Sequence, residues 1–261
     1  MAALFTGRKP LIGMVHLAPL PGSPGFDGDL AGGVARAVAD ARALADAGFD
    51  GLIVENFCDQ PYPVGRGPLE RSVAMATVVG EVRRAVSLPL GVNIQFNDDE
   101  AELVVARYAG ADFIRVEAFV DGVATAGGPV APCAPSLMRR RAALPGSPVS
   151  VVADIHVKEA IPLAAFSLED SARNATAAGA DALIVTGSAT GQVTPLDLVE
   201  RAKSCTSMPV WVGSGLTAAT AAEVLAVADG AIIGTATKVG RVATNPVDPA
   251  AAAAIVRAVH G

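Results

Sequence analysis

Eight times along this chain a short β-branched apolar run stops at a polar or glycine-rich cluster, and a segment of helical period follows. The runs are Leu11 to Leu17, Gly51 to Asn56, Leu90 to Gln95, Phe113 to Phe119, Ser150 to Lys158, Ala182 to Ser188, Val210 to Gly215 and Gly230 to Ala236. Each has the length of a strand buried on both faces, and the alternation with helices implies parallel strands joined by right-handed crossovers. Eight such units in 261 residues favour closure into a single α/β TIM barrel, (β/α)8, over an open doubly wound sheet. In that architecture chemistry sits at the C-terminal ends of the strands.

Three segments, Ala47-Gly48-Phe49-Asp50, Ala109-Gly110-Ala111-Asp112 and Ala178-Gly179-Ala180-Asp181, lead directly into a strand. Glycine suits the left-handed position that ends a helix, so the same αβ turn is expected at all three. The longest βα connections are Phe57 to Pro68, Val120 to Ala134 and Glu159 to Phe166, and Ala18 to Gly25 after the first strand is rich in proline and glycine. Loops of that length in a compact domain are more often lids or binding loops than idle connections, although plain insertions are also tolerated.

The chain is 51% hydrophobic and no linker-like stretch divides it, so one domain over residues 1–261 is expected. A net charge of −6 without a basic run argues against a nucleic-acid partner, since Arg139, Arg140 and Arg141 make only a short cluster on a predicted helix. No N-terminal signal is visible, and no apolar stretch reaches the roughly 20 residues of a membrane span, so direct membrane insertion is not expected. Cys58, Cys133 and Cys205 are odd in number and widely spaced, which indicates neither a disulfide framework nor a zinc site. A reducing cytoplasm is the expected location, and homo-oligomerisation stays open.

In the fifth run a period of two puts Asp154, His156 and Lys158 on one face. They form either a buried polar network bracing the barrel or a catalytic group, with His156 and Lys158 nearest the mouth and Asp154 deeper, orienting a neighbour. Other strands supply matching groups at similar depth: His16, Glu55, Asn56, Asn93, Gln95, Arg115 and Glu117. Adjacent strands lie about 4.8 Å apart, so an Arg115 to Asp154 or a Glu117 to Lys158 pair is within reach. The expected catalytic set is His156, Lys158, Glu55, Glu117, Asp154 and His16, and the expected substrate contacts are Asn56, Asn93, Gln95, Arg115, Ser188 and Thr190. His156 is the best single acid or base, because its unperturbed pKa lies near neutrality whereas either glutamate needs burial to raise its own. For Lys158 a charged clamp is favoured over an imine-forming amine, on the reasoning that nearby carboxylates hold its proton. A divalent metal is the competing use of His16, Glu55, Glu117, Asp154 and His156, although no compact motif such as H-E-x-x-H supports it. No other cofactor is indicated.

The last strands carry the clearest ligand signal. Gly213, Ser214 and Gly215, with Gly234 and Thr235, stand where barrels commonly bind phosphate, because backbone without Cβ atoms can approach an anion near a helix start. The Gly187-Ser188-Ala189-Thr190-Gly191 stretch can contribute similarly. The competing reading of Gly213 and Gly215 is a tight turn into the next helix. No Gly-Lys-Ser/Thr follows at the spacing of a P-loop.

Gly13-Met14-Val15-His16-Leu17 with Pro19-Leu20-Pro21-Gly22-Ser23-Pro24, Val54-Glu55-Asn56-Phe57, Asp154-Ile155-His156-Val157-Lys158, Thr186-Gly187-Ser188-Ala189-Thr190-Gly191 and Gly213-Ser214-Gly215 together resemble the BtpA family. The resemblance runs through nearly the whole chain to Asn245-Pro246-Val247-Asp248-Pro249. It implies a barrel similar to the ribulose-phosphate-binding group with a phosphate site on the last strands. It also implies one of two roles. The first is an enzyme, of lyase or isomerase type, acting on a phosphorylated sugar or nucleoside-like metabolite; the second is a non-catalytic biogenesis factor of the photosystem I kind.

Overall fold

Each of the eight apolar runs becomes a strand in the computed structural model, which describes residue 5 and residues 8–146, 148–187 and 190–260. The chain runs β1 (Leu11–His16), α1 (Leu30–Ala47), β2 (Gly51–Glu55), α2 (Leu69–Ala85), β3 (Leu90–Asn93), α3 (Asp99–Ala109) and β4 (Phe113–Val116). A hairpin follows, β5 (Val123–Thr125) and β6 (Gly128–Val130), then α4 (Ala134–Ala143), β7 (Ser150–Ile155), β8 (Ile161–Pro162) and α5 (Leu168–Ala178). The remainder is β9 (Ala182–Val185), α6 (Leu196–Lys203), β10 (Val210–Val212), α7 (Ala221–Val227), β11 (Gly230–Ile233) and α8 (Pro249–His260).

The strands β1, β2, β3, β4, β7, β9, β10 and β11 pair in parallel in that order, and β11 returns to β1 to close the barrel. The fold is therefore an α/β TIM barrel. Two apolar layers hold it. Ile12, Met14, Ile53, Phe113, Val152, Ile184, Trp211 and Ile232 fill the interior, while the other strand faces pack on the helices. Trp211 meets Phe113 edge to face at 6.4 Å, the offset geometry that aromatic quadrupoles favour.

The repeated helix endings take the expected form and do more than turn the chain. Gly48, Gly110 and Gly179 adopt φ of 95°, 88° and 94° as C-caps. The aspartate two residues on then clamps the strand next door. Asp112 N–H donates to Leu90 O at 2.7 Å and its Oδ2 accepts from Leu90 N–H at 2.9 Å. Asp50 does the same to Leu11, Asp181 to Val151 and, without the glycine signal, Asp229 to Val210. A side chain thus satisfies an N–H at the start of a buried strand.

Two of the long βα loops are not loops. β5, β6 and β8 zip into a three-stranded antiparallel sheet over the barrel mouth, with Ala118, Val123, Val130 and Val157 as its own small core. Among the described residues no helix is long and apolar enough to cross a membrane.

Candidate active site

Along β1, β2, β4 and β7 the inward positions run from apolar to polar toward and just past the C-terminal end: Ile12, Met14, then His16; Ile53, then Glu55; Phe113, then Arg115 and Glu117; Val152, then Asp154. The period of two therefore stacks a polar tier on an apolar plug. Above that tier lies a cavity of about 550 Å³. His16, Glu55, Gln95, Arg115, Glu117 and Lys158 line one side, residues 213–217 and 232–236 the other, and Phe57, Tyr62, Phe96 and the β5–β6 turn cover it.

Arg115 organises the floor. Its Nε and Nη2 donate to Asp154 Oδ1 and Oδ2 at 3.0 and 2.9 Å, a two-pronged pair, and its Nη1 lies 3.7 Å from Glu55 Oε2. Asp154 is wholly buried beneath the cavity and orients this neighbour rather than meeting a ligand. Glu55 also accepts from Gln95 Nε2 at 2.7 Å, and burial raises its pKa against the pull of Arg115.

Glu117 is a buried carboxyl whose two oxygens are treated differently. Its Oε1 accepts from Asn93 Nδ2 at 2.8 Å, while its Oε2 is buried without a hydrogen-bond partner among the described residues. Burial pushes its pKa up to about 7 despite nearby Arg115. Asn93 lies below the cavity and binds a second buried carboxyl, Glu102 on α3, whose Oε1 accepts from Asn93 Nδ2 at 3.1 Å and from the Ile94 N–H. Burial and Glu117 raise the Glu102 pKa well above the carboxylate range. An acid early in a helix reads from the sequence as a solvated cap residue, which is why Glu102 escapes sequence reasoning.

His16 stacks on Phe57 with ring centroids 4.3 Å apart. Its Nδ1 lies 2.8 Å from Ala243 O, so this nitrogen carries the hydrogen, because a carbonyl can only accept. Burial, with Lys238 nearby, lowers its pKa to about 3, which leaves Nε2 as a lone-pair acceptor at the cavity wall. Lys238 itself is buried and paired with Asp40 at 3.2 Å.

The expectation for β7 needs correction. Asp154, His156 and Lys158 do not share a face, because the strand ends at Ile155 and His156 adopts φ of 50°, in the left-handed region where alternation stops. Lys158 keeps its place on the cavity wall, but His156 does not line it, and its Nε2 is buried without a partner among the described residues. The imidazole is thus removed from the cavity group. Lys158 makes no ion pair with Glu117 or any other described residue, and burial followed by Arg115 lowers its pKa against the pull of Glu55 and Asp154.

The five proposed metal ligands do not assemble either: Arg115 engages Asp154, and His156 faces elsewhere. Among the described residues no three His, Cys, Asp or Glu side chains form a ligand group. Asn56 is also no cavity residue; it is buried, accepting from Gln95 N–H at 2.7 Å and donating to Asp59 Oδ2 at 2.9 Å.

Gly213, Ser214, Gly215, Gly234 and Thr235 all line the opposite wall. The Gly213 N–H is committed to Val185 O at 2.8 Å, but those of Gly215, Leu216, Gly234, Thr235 and Ala236 find no acceptor among the described residues. Gly215 has φ of 81°, and a Cβ there would stand 2.3 Å from Val193 Cα, so only glycine fits. Arg241 stands at the rim of this wall. Thr190 lines the cavity and donates from N–H and Oγ1 to Glu159 Oε1 at 3.0 and 2.9 Å, which ties the β7 and β9 loops together. Ser188 lies outside the described residues.

Similarity to known proteins agrees with this picture of the fold. Thiamine phosphate pyrophosphorylase from Pyrococcus furiosus superposes with a TM-score of 0.61 at 15% identity, covering 96% of this chain and 95% of that one. At that identity the likeness concerns the fold alone. An uncharacterized protein of Pyrococcus abyssi is 40% identical over 255 residues, 97% of this chain and 96% of its own. The photosystem I biogenesis protein BtpA of Synechocystis sp. is 35% identical over 257 residues, 98% of this chain and 89% of its own. The sequence model of the BtpA family matches residues 7–261, and the chain belongs to that family.

Proposed function

We propose that this protein is an enzyme that binds a small phosphorylated metabolite, of the sugar or nucleoside kind, and moves a proton on it in a lyase or isomerase reaction. The observation that carries this reading is the opposition across one cavity of Glu117, with a buried oxygen, and a wall of N–H groups at Gly215, Leu216 and residues 234–236, all without partners among the described residues. Backbone donors at the start of the short helical turn Thr235–Thr237 suit a phosphate, and Arg241 at the rim adds positive charge. Glu117, with a pKa near the working pH, takes and returns the proton. His16 Nε2 accepts a hydrogen bond from a substrate hydroxyl, and the Arg115 cation sits where negative charge develops. In this reading Glu117 replaces His156 as acid and base. No step requires a metal. Three unpaired cysteines support a reducing, cytoplasmic setting.

The name of the Synechocystis relative offers a second reading, a biogenesis factor. Such a factor has no need for a buried carboxyl of raised pKa facing anion donors across one cavity. Thermal denaturation with phosphosugars, nucleoside monophosphates and inorganic phosphate separates the two, because a ligand of the native state raises apparent stability by mass action. The enzyme reading expects saturable stabilisation by a subset of phosphate esters; stabilisation by none of them contradicts it.

A further inference from the structure

The chain has four lysines, and three give their ammonium groups to an acceptor: Lys9 to Leu225 O, Lys203 to Asp229 and Val227 O, and Lys238 to Asp40. Lys158 gives its own to none among the described residues, although it is half-buried and lines the cavity. The charged groups facing it are Arg115, Glu55, Asp154 and Glu159. Arg115 takes up Asp154, Glu159 accepts from Thr190, and Glu55 Oε2 lies 3.7 Å from Arg115, so none of these carboxylates hydrogen-bonds the Lys158 ammonium among the described residues. A half-buried lysine beside a guanidinium, with no carboxylate bonded to it among the described residues, is shifted toward its neutral, nucleophilic form. Glu117 and the phosphate wall share the same cavity.

We propose that Lys158 forms an imine with the carbonyl carbon of an open-chain phosphorylated aldehyde or ketone. This rests on the phosphate reading above and narrows its substrate class. The Nζ lone pair attacks the carbonyl carbon, and the carbonyl oxygen takes a proton from the Glu117 carboxylic acid. Nitrogen then returns a proton to the Glu117 carboxylate. Glu117 passes that proton to the hydroxyl, which leaves as water while the nitrogen lone pair forms C=N⁺. Amine, carbonyl and carboxylic acid thus become iminium, one water and carboxylate, with no oxidant or reductant. The iminium draws electrons from the adjacent carbon, where the proposed proton transfer or carbon-bond cleavage takes place.

The test is borohydride reduction of the full chain with glyceraldehyde 3-phosphate, dihydroxyacetone phosphate or unphosphorylated glyceraldehyde, followed by peptide mapping. The expected result is one adduct on Lys158, formed at least tenfold faster with a phosphorylated probe than with glyceraldehyde, and absent in Lys158→Arg. An adduct on Lys158 that forms equally fast with glyceraldehyde supports the imine and overturns the phosphate reading. If Lys158 is labelled no more than Lys203 by every probe, the imine is overturned, even when inorganic phosphate still stabilises the protein. The wild-type map gives this answer whether or not the variant folds.

Discussion

Arg115 and Asp154 face each other from adjacent strands with two parallel hydrogen bonds of 3.0 and 2.9 Å, both side chains buried. Removing one partner strands the other's charge in a poorly solvated interior. Asp154→Ala is therefore expected to destabilise the fold by about 3 to 5 kcal/mol, measured by urea denaturation. A loss under about 1 kcal/mol, the range of exposed pairs, would show that the pair is not the brace described.

Glu117 makes stability depend on pH. Its folded pKa of about 7 lies above the ordinary 4.5, so the folded state keeps a proton that the unfolded state releases. The favourable contribution is complete below pH 4.5 and is lost as pH rises through 7. Glu117→Gln removes that loss. The variant should be the more stable protein at pH 8, by an amount on the order of 3 kcal/mol, taking 1.36 kcal/mol per unit. Melting curves at pH 6 and pH 8 check it, and a wild type whose stability relative to Glu117→Gln is unchanged between them contradicts it.

His16 acts in the opposite direction. Its pKa falls from 6.5 to about 3 on folding, so the unfolded state binds the proton first and stability declines as pH drops from 6.5 toward 3. Between 4.5 and 6.5 this slope offsets that of Glu117. In His16→Phe the offset disappears, and stability should rise steadily on acidification from pH 8 to pH 5, where the wild type levels off. Parallel profiles for the two proteins would show that His16 is protonated in the fold.

The αβ aspartates offer a simpler test. Asp112→Ala leaves the buried Leu90 N–H without its acceptor and should cost about 1 to 3 kcal/mol, the price of an unmet buried donor. A denaturation midpoint equal to that of wild type would mean that water reaches this position.

The barrel and its polar tier are legible in the sequence because each depends on period: β-branched runs set the strands, and alternation carries Ile12 and Met14 to His16, and Phe113 to Arg115 and Glu117. His156 was misplaced because alternation holds only while the strand lasts, and a histidine at positive φ gives no residue-type warning of the break. The sheet over the mouth pairs β5 with β8, a strand of two residues, across the intervening α4 and β7, a contact without a local pattern. Glu102 is hidden for another reason. Its burial comes from packing of α3 against β3 rather than from anything in its own helix.

Under the proposed function one wall of the cavity holds a phosphate on backbone N–H groups. Ala236 lies on that wall, so Ala236→Asp places a carboxylate where the anion would rest. The most direct measurement is the melting temperature of wild type and Ala236→Asp across a series of inorganic phosphate concentrations, with chloride holding ionic strength constant. A saturating rise is expected for the wild type and none for the variant. No rise in either protein, or an equal rise in both, contradicts it.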